Sequence, residues 1–142
     1  MIMPVYTLTT TVGTLSSQTK ASLAAEIGRI HSEINHVPAT YVNVVYQELP
    51  VDNVYAGGRP AAPVLVNGWV REGHDEEETS RLALEIASTV TEFASVPEDR
   101  VVVVFQSSPA RFAVELGRLL PDPGHEADWV ASLKSTRPAV SP

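Results

Sequence analysis

The chain has 142 residues, a length that suits one domain with a single core. Its 10 basic and 17 acidic side chains give a formal net charge of −7, which repels phosphate backbones and anionic lipids and argues against nucleic acid or membrane partners. The absence of cysteine excludes disulfides, thiolate catalysis and Cys-ligated metals. With neither a basic and apolar leader nor an apolar run of about 18 residues, the expected location is the cytoplasm.

The first half of the chain predicts a strand, a helix and a second strand. The segment from Val5 to Thr11 is β-branched, as strands are. A helix follows, with Ser16 as its cap, because apolar residues then recur at helical spacing. These residues are Leu23, Ile27, Ile30 and Ile34. The valine-rich run from Tyr41 to Gln47 predicts a buried strand.

The second half predicts the same order of elements. A strand from Val64 to Val70 precedes a helix that starts at Asp75, with Glu78 three residues later in a capping-box-like arrangement. The apolar stripe of this helix is Leu82, Ile86, Val90 and Phe93. A further strand runs from Val101 to Gln106, and the glycine-containing segment from Asn53 to Pro63 predicts a turn or short hairpin between the halves.

Residues 59 positions apart match too often for chance. At least thirteen pairs are identical without a gap, including Pro4/Pro63 and Pro50/Pro109, where about one match in fifteen would give only three or four. We therefore expect a single domain over residues 1–142, with repeats at 4–62 and 63–121 and a C-terminal arm at 122–142. The arm is expected to pack against the domain and to fray at its end.

The repeat predicts an α/β (α+β) fold in which duplicated β-α-β units form a four-stranded sheet with two helices on one face. The other face of the sheet is left uncovered. Because the valine-rich strands are apolar on both faces, we expect that face to pack against other subunits in a trimer or another closed ring.

Pro4 is a candidate catalytic group because of its position near the amino terminus. If translation begins at Met3 and that residue is removed, the ring nitrogen becomes a secondary amine able to accept or donate a proton. An α-amino group titrates near 7.7 to 8.0, and both burial and a nearby cation such as Arg71 favour its neutral form. Pro63, its counterpart in the repeat, is internal and has no basic nitrogen.

Five segments resemble cis-3-chloroacrylic acid dehalogenase and its relatives in the tautomerase superfamily. They are Pro4-Val5-Tyr6, His31, Arg71-Glu72-Gly73-His74, the segment from Glu115 to Leu120, and the tail from Pro121 to Trp129. The resemblance runs from Pro4 to about Leu133, with a short gap near residues 59–63, and the tail is its most specific part. It implies a homotrimer of duplicated β-α-β chains with no metal or organic cofactor.

The resemblance also implies a role for each matching residue. Pro4 would move protons to and from a substrate carbon, while His31 and Arg71 would hold the carboxylate of a small anionic substrate. Glu115 would orient or activate water in relatives that hydrate. A guanidinium fork suits a carboxylate, and a carboxylate side chain can take a proton from water.

Two positions differ from the dehalogenase pattern. His74, a further candidate for substrate binding, replaces a second arginine and is mostly neutral at pH 7 unless an anion raises its pKa. Val104 replaces a tyrosine that assists the water, and it has no polar group. Tautomerisation of an enol acid needs no activated water and is compatible with both changes.

Each candidate also has an ordinary structural interpretation. Pro4 can simply open an edge strand. On the helical wheel His31 lies about 60° from the centre of the apolar stripe, as a histidine at the boundary of the buried face would. Arg71, between a strand and a turn, can be solvated, and Glu115 can pair with Arg118 on a short exposed helix.

Three functions therefore stay open at this point. The first is a cofactor-independent tautomerase or isomerase for small enol or 2-oxo carboxylates with the Pro4 nitrogen as general base. The second is a hydratase or dehalogenase of cis-3-haloacrylate-type acids with low efficiency. The third is a catalytically silent trimer that binds a ligand or partner, which gains weight if the mature chain keeps Met1 to Met3, since the bulky Ile2 should block removal of Met1. No close His and carboxylate cluster has metal-ligand spacing.

Overall fold

The structure, a computed structural model, describes residues 4–136. Eight strands and three helices occur in that range, and short 3-10 turns precede β2, β3, β6 and β7. The strands are β1 (Val5–Thr11), β2 (Asn43–Leu49), β3 (Tyr55–Ala56), β4 (Arg59–Pro60), β5 (Val64–Arg71), β6 (Val101–Ser108), β7 (Val114–Glu115) and β8 (Arg118–Leu119). The helices are α1 (Ser17–Asn35), α2 (Glu76–Ala94) and α3 (Glu126–Thr136).

The predicted fold class is confirmed. The main sheet has the strand order β2-β1-β5-β6, with β1/β2 and β5/β6 parallel and the central β1/β5 pair antiparallel. Each parallel pair is joined through one long helix, as in a β-α-β unit. The antiparallel centre places the start of β1 and the end of β5 at the same edge of the sheet.

The core lies between the sheet and the helices α1 and α2, which pack against each other. Both helices begin where the sequence predicts. The Ser16 side chain accepts a hydrogen bond from the Thr19 amide, and the Asp75 side chain accepts one from the Glu77 amide. The apolar stripes of both helices are buried against inward-facing strand residues, including the fully buried Tyr6 and Leu8.

The spacing of the repeat is 60 residues, not 59, in the first strand of each half. Alternate positions from Val64 onward face the core in β5, whereas in β1 the inward positions start at Tyr6. Thr11 therefore corresponds to Arg71, and the left-handed Gly13 corresponds to Gly73. The turn between β5 and α2 is one residue shorter than the turn between β1 and α1. The spacing between the two halves therefore returns to 59 residues in the helices. The ungapped match of Pro4 with Pro63 is thus wrong as a structural equivalence.

The expected hairpin between the halves is present as β3 and β4, joined by Gly57 and Gly58, both at positive φ. The corresponding segment of the second half corrects an expectation. Glu115 and Arg118 do not lie on a short helix but face each other across the β7/β8 hairpin. The positive φ angles of Leu116 (55°) and Gly117 (75°) make the tight turn that a helix would not allow.

The C-terminal arm forms α3 and packs beside the main sheet, and the end that was expected to fray lies outside the described residues. A second apolar cluster is built from Ala110, Leu120 and Trp129, with Trp69 of β5 packed against it. The indole of Trp129 donates a hydrogen bond of 2.8 Å to the Leu119 carbonyl. These contacts fasten the arm next to the carboxyl end of β5.

The face of the sheet opposite α1 and α2 exposes apolar side chains. Val45, Leu65, Val102 and Val104 are all exposed there. Polar pairs lie among them, since Thr9 donates to Gln47 and Asn67 donates to Gln106. We name this surface the open face.

Candidate active site

Pro4 lies immediately before β1, and it is buried. Val5 pairs with Trp69, so continuing the antiparallel register by one residue places Pro4 opposite Val70 and beside Arg71. The Pro4 carbonyl accepts hydrogen bonds from the backbone amide of Asn43 at 3.1 Å and from its side chain at 3.3 Å. The carbonyl side of the residue is therefore fixed to β2.

Arg71 ends β5 and is only 2% exposed, which corrects the interpretation of a solvated arginine. Its Nη1 donates to the Pro121 carbonyl and its Nη2 donates to a carboxylate oxygen of Glu126, both at 2.7 Å. Thr11 holds the equivalent place at the end of β1, so of these two equivalent positions only the one next to Pro4 carries a guanidinium.

His31, on the last turns of α1, is fully buried rather than at the boundary. Its Nδ1 lies 2.7 Å from the hydroxyl of Tyr6. Burial, with smaller contributions from His74 and Arg71, lowers the pKa of His31 to about 3, so the ring is neutral at physiological pH. Burial also raises the pKa of Tyr6 far above its usual value, which keeps its hydroxyl protonated.

The tautomer of His31 follows from its partners. A protonated tyrosine hydroxyl can donate or accept, and we assign it as the donor to Nδ1 because this places the ring proton on Nε2, facing the amide of Asn35. Nε2 is 3.3 Å from Nδ2 of Asn35, and the buried Oδ1 of Asn35 has no partner among the described groups. Rotation of the Asn35 amide by 180° exchanges its two atoms and lets Oδ1 accept the Nε2 proton. Both ring nitrogens then bond to protein groups, and Nε2 reaches a substrate only if Asn35 releases it.

His74 follows Arg71 in the loop that leads to α2. Burial and the charge of Arg71 lower its pKa, while Glu126 and Glu78 act in the opposite direction. His74 is thus a neutral donor or acceptor near pH 7 rather than a substitute for a charged arginine.

A cavity of about 400 Å³ adjoins this loop. Its cation is Arg71, its anions are Glu72 and Glu76, and the other lining residues come from β5, the first turns of α2 and the end of β6. This volume is in the range of small-molecule sites. Pro4 and His31 do not line the cavity.

The structure brings together four of the five candidate residues. Pro4, His31, Arg71 and His74 lie at one edge of the sheet, linked by strand pairing and by their mutual electrostatic effects. Glu115 lies half-buried on the β7/β8 hairpin, and it is not among the charges that shift the pKa values of His31 or His74.

Sequence reasoning missed the residues that hold the site in place. Glu126 pairs with Arg71 from 55 positions away, and Tyr6 and Asn35 hold His31. Spacing along the chain cannot reveal such partners. The only signal was that Glu126 and Tyr6 belong to the segments that carried the resemblance.

Within residues 4–136, no three His, Asp or Glu side chains come together as a metal site requires. In the same range, no helix is long and apolar enough to cross a membrane.

A duplicated β-α-β sheet with a proline opening its first strand defines the class of the protein as a tautomerase-like fold. A family model described as "Putative oxalocrotonate tautomerase enzyme" matches residues 3–134, and the chain belongs to this family. No curated protein matches it by sequence.

Solved structures show which members of the superfamily the chain resembles. It is similar to N1, a member of the cis-3-chloroacrylic acid dehalogenase family, with 26% identity, a TM-score of 0.86, and coverage of 94% of this chain and 92% of that one. It is also similar to native Ps01740, with 30% identity, a TM-score of 0.76, and coverage of 78% and 99%. A fused 4-OT solved as an asymmetric trimer shares the fold at 22% identity, with a TM-score of 0.76 and coverage of 81% and 94%. The expected membership of the tautomerase superfamily, in the subgroup that resembles the dehalogenase, is confirmed.

Proposed function

We propose that the protein is a cofactor-independent tautomerase of small enol or 2-oxo carboxylates, with the nitrogen of Pro4 as general base. The observation that carries the proposal is the position of Pro4 beside Arg71 at one edge of the sheet. A base and a buried guanidinium at neighbouring positions fit a substrate whose carboxylate and reacting carbon are adjacent.

The proposed reaction needs no acid or base other than the Pro4 nitrogen. The neutral Pro4 nitrogen takes the proton from the enol oxygen, and the same proton is then delivered to the neighbouring carbon as the carbonyl forms. No oxidation state changes, so no redox cofactor is required. The low pKa of His31 supports a role for it as a neutral hydrogen-bonding group, not as a cation that holds a carboxylate.

The active assembly is proposed to be a homotrimer. The exposed valines on the two edge strands of the sheet and the exposed leucine on the central strand β5, all on the open face, support this assembly. A structure with the same fold, the fused 4-OT, was solved as a trimer.

Ketonisation of phenylenolpyruvate tests the proposal. Three proteins are compared: the chain started at Met3, the chain that retains Met1 to Met3, and Pro4→Ala made in the Met3-started chain, each with its amino terminus established by intact mass. We expect full activity only in the Met3-started chain. Pro63→Ala is the matched control, because that proline has no basic nitrogen. Equal turnover by the extended chain would eliminate the free amine from the mechanism, whereas the absence of turnover in all three proteins would favour a silent binding protein.

Hydrolytic dehalogenation is the second candidate, favoured by the similarity to N1 over nearly the whole chain. In that reaction a protonated Pro4 would act as acid and Glu115 would activate water. His74 and Val104 replace the arginine and tyrosine of the dehalogenase pattern, so we propose that this activity is weak.

A further inference from the structure

Arg71, the residue proposed to bind the substrate carboxylate, already binds a carboxylate of its own chain. Nη2 of Arg71 lies 2.7 Å from Oε1 of Glu126, and the side chain of Arg71 is 2% exposed. Burial is the largest single influence and acts to raise the pKa of Glu126, but hydrogen bonds from Arg71 and from backbone amides, together with the charge of Arg71, outweigh it and lower the pKa. The Glu126 carboxylate is therefore ionised at neutral pH.

The segment that leads to Glu126 packs against the loop between β5 and α2. Nη1 of Arg71 donates to the Pro121 carbonyl, and the Gly124 amide donates to the second carboxylate oxygen of Glu126 at 2.9 Å. Gly73, at a φ of +109°, allows Pro123 to approach so closely that an added Cβ would lie 3.3 Å from the proline ring. The equivalent Gly13 has nothing within 4 Å of its Cβ position, so the close contact is specific to the half of the chain that carries Arg71.

The pairing of Arg71 with Glu126 changes the net charge that the cavity presents to a ligand. Arg71 is the cation of the lining, Glu72 and Glu76 are its anions, and the lowered pKa leaves His74 neutral. Glu126 neutralises the positive charge of this lining, which would otherwise attract an anion. A substrate carboxylate must therefore take the place of the Glu126 carboxylate on Arg71.

We infer that Glu126 is a specificity-determining residue that competes with the substrate carboxylate for Arg71. The inference rests on the proposed function for its substrate class. Substrate binding exchanges one carboxylate for another on the guanidinium and releases the start of the arm. A buried arginine without this partner would also carry an uncompensated charge in the empty enzyme, which Glu126 prevents.

The test is direct binding, measured by calorimetry, of phenylpyruvate and of its uncharged methyl ester. The variant is Glu126→Gln, which keeps an acceptor oxygen of the same shape but removes the charge. The matched control is Asp128→Asn, an equal charge change on an exposed residue of the same helix. We expect Glu126→Gln to bind phenylpyruvate about three- to tenfold more tightly than the wild type, a factor typical of removing one partly exposed charge. The control should match the wild type, and the ester should bind all three proteins equally.

Equal or weaker binding of phenylpyruvate by Glu126→Gln overturns the inference, as does the absence of binding by both proteins. If the variant does not fold, hydrogen exchange in the wild type decides. Phenylpyruvate, and not the ester, should then speed exchange of backbone amides in residues 122–130, and unchanged or slower exchange overturns the inference. The two proposals fail separately, because tighter binding by the variant without enol turnover in the Met3-started wild type removes only the tautomerase function.

Discussion

The hydroxyl of Tyr6 lies 2.7 Å from Nδ1 of His31, so the first strand holds the ring of a histidine on the first helix. The two rings meet edge to face, with centroids 5.6 Å apart and planes at 81°. This contact fixes the ring below the edge where Pro4 and Arg71 lie. It also removes one of the two nitrogens with which His31 could bind a substrate.

The first prediction concerns the charge of His31. Its pKa is lowered to about 3 in the folded protein, below the value of about 6.5 for an unfolded histidine, so the unfolded state binds more protons between those values. The contribution of the neutral His31 to the free energy of unfolding is fully present above about pH 6.5 and is lost as the pH falls towards 3. It amounts to at most roughly 5 kcal/mol. Nitrogen-15 NMR should show a neutral ring with its proton on Nε2 from pH 5 to pH 9.

His125 provides the control for that experiment. It is exposed, and His125→Gln should leave the slope of stability against pH between 4 and 6.5 as in the wild type. His31→Gln should flatten the slope. A His31 ring that titrates near pH 6.5 would contradict the assignment.

The second prediction concerns the partner of that ring. Tyr6→Phe keeps the buried aromatic ring but leaves Nδ1 of His31 without a donor, which should cost about 1 to 3 kcal/mol of unfolding free energy. Tyr55→Phe, at an exposed tyrosine, should change stability by less than about 0.5 kcal/mol. Urea denaturation of both variants measures the difference, and equal midpoints would show that the bond contributes nothing.

Much of the fold could be predicted from the sequence because local patterns determine it. Each helix is indicated by its apolar stripe and by its cap, Ser16 or Asp75, and the edge strands are indicated by runs of valine. Each of these patterns lies within a short stretch of sequence. The glycine pair between β3 and β4 predicted a hairpin in the same way. The turn of β7 and β8 was missed because Leu116 at its first central position gives no such signal, although Gly117 follows it.

The site was predicted only in part, for a different physical reason. Residue type and resemblance suggested Pro4, His31 and Arg71, but their burial depends on partners from distant segments. Arg71 is buried because the arm brings Glu126 and the Pro121 carbonyl to it, and no local pattern predicts that contact. The ungapped spacing of 59 likewise hid a one-residue difference between the turns after β1 and β5.

The third prediction contrasts two glycines. An added Cβ at Gly68, in the centre of the sheet, would lie 2.6 Å from the ring of Phe105 and 3.0 Å from that of Tyr6. Gly68→Ala should therefore cost about 1 to 3 kcal/mol through overpacking. At Gly28, inside α1, the nearest atom would be 3.6 Å away, so Gly28→Ala should stabilise the protein by about 0.5 to 1 kcal/mol. Thermal unfolding checks both signs, and a stable Gly68→Ala would mean that the two rings move apart freely.

The fourth prediction concerns halide release from cis-3-chloroacrylate. Neutral His74 offers less to the carboxylate than an arginine would, so His74→Arg should lower the KM for this substrate about three- to tenfold. Val104 is unable to polarise water, so kcat should stay low. If Glu115 activates the water, Glu115→Gln should reduce the remaining rate by about a hundredfold or more, whereas Glu98→Gln, at an exposed position, should not. Halide release that Glu115→Gln leaves intact would remove Glu115 from the chemistry and leave proton transfer at Pro4 as the only role for the site.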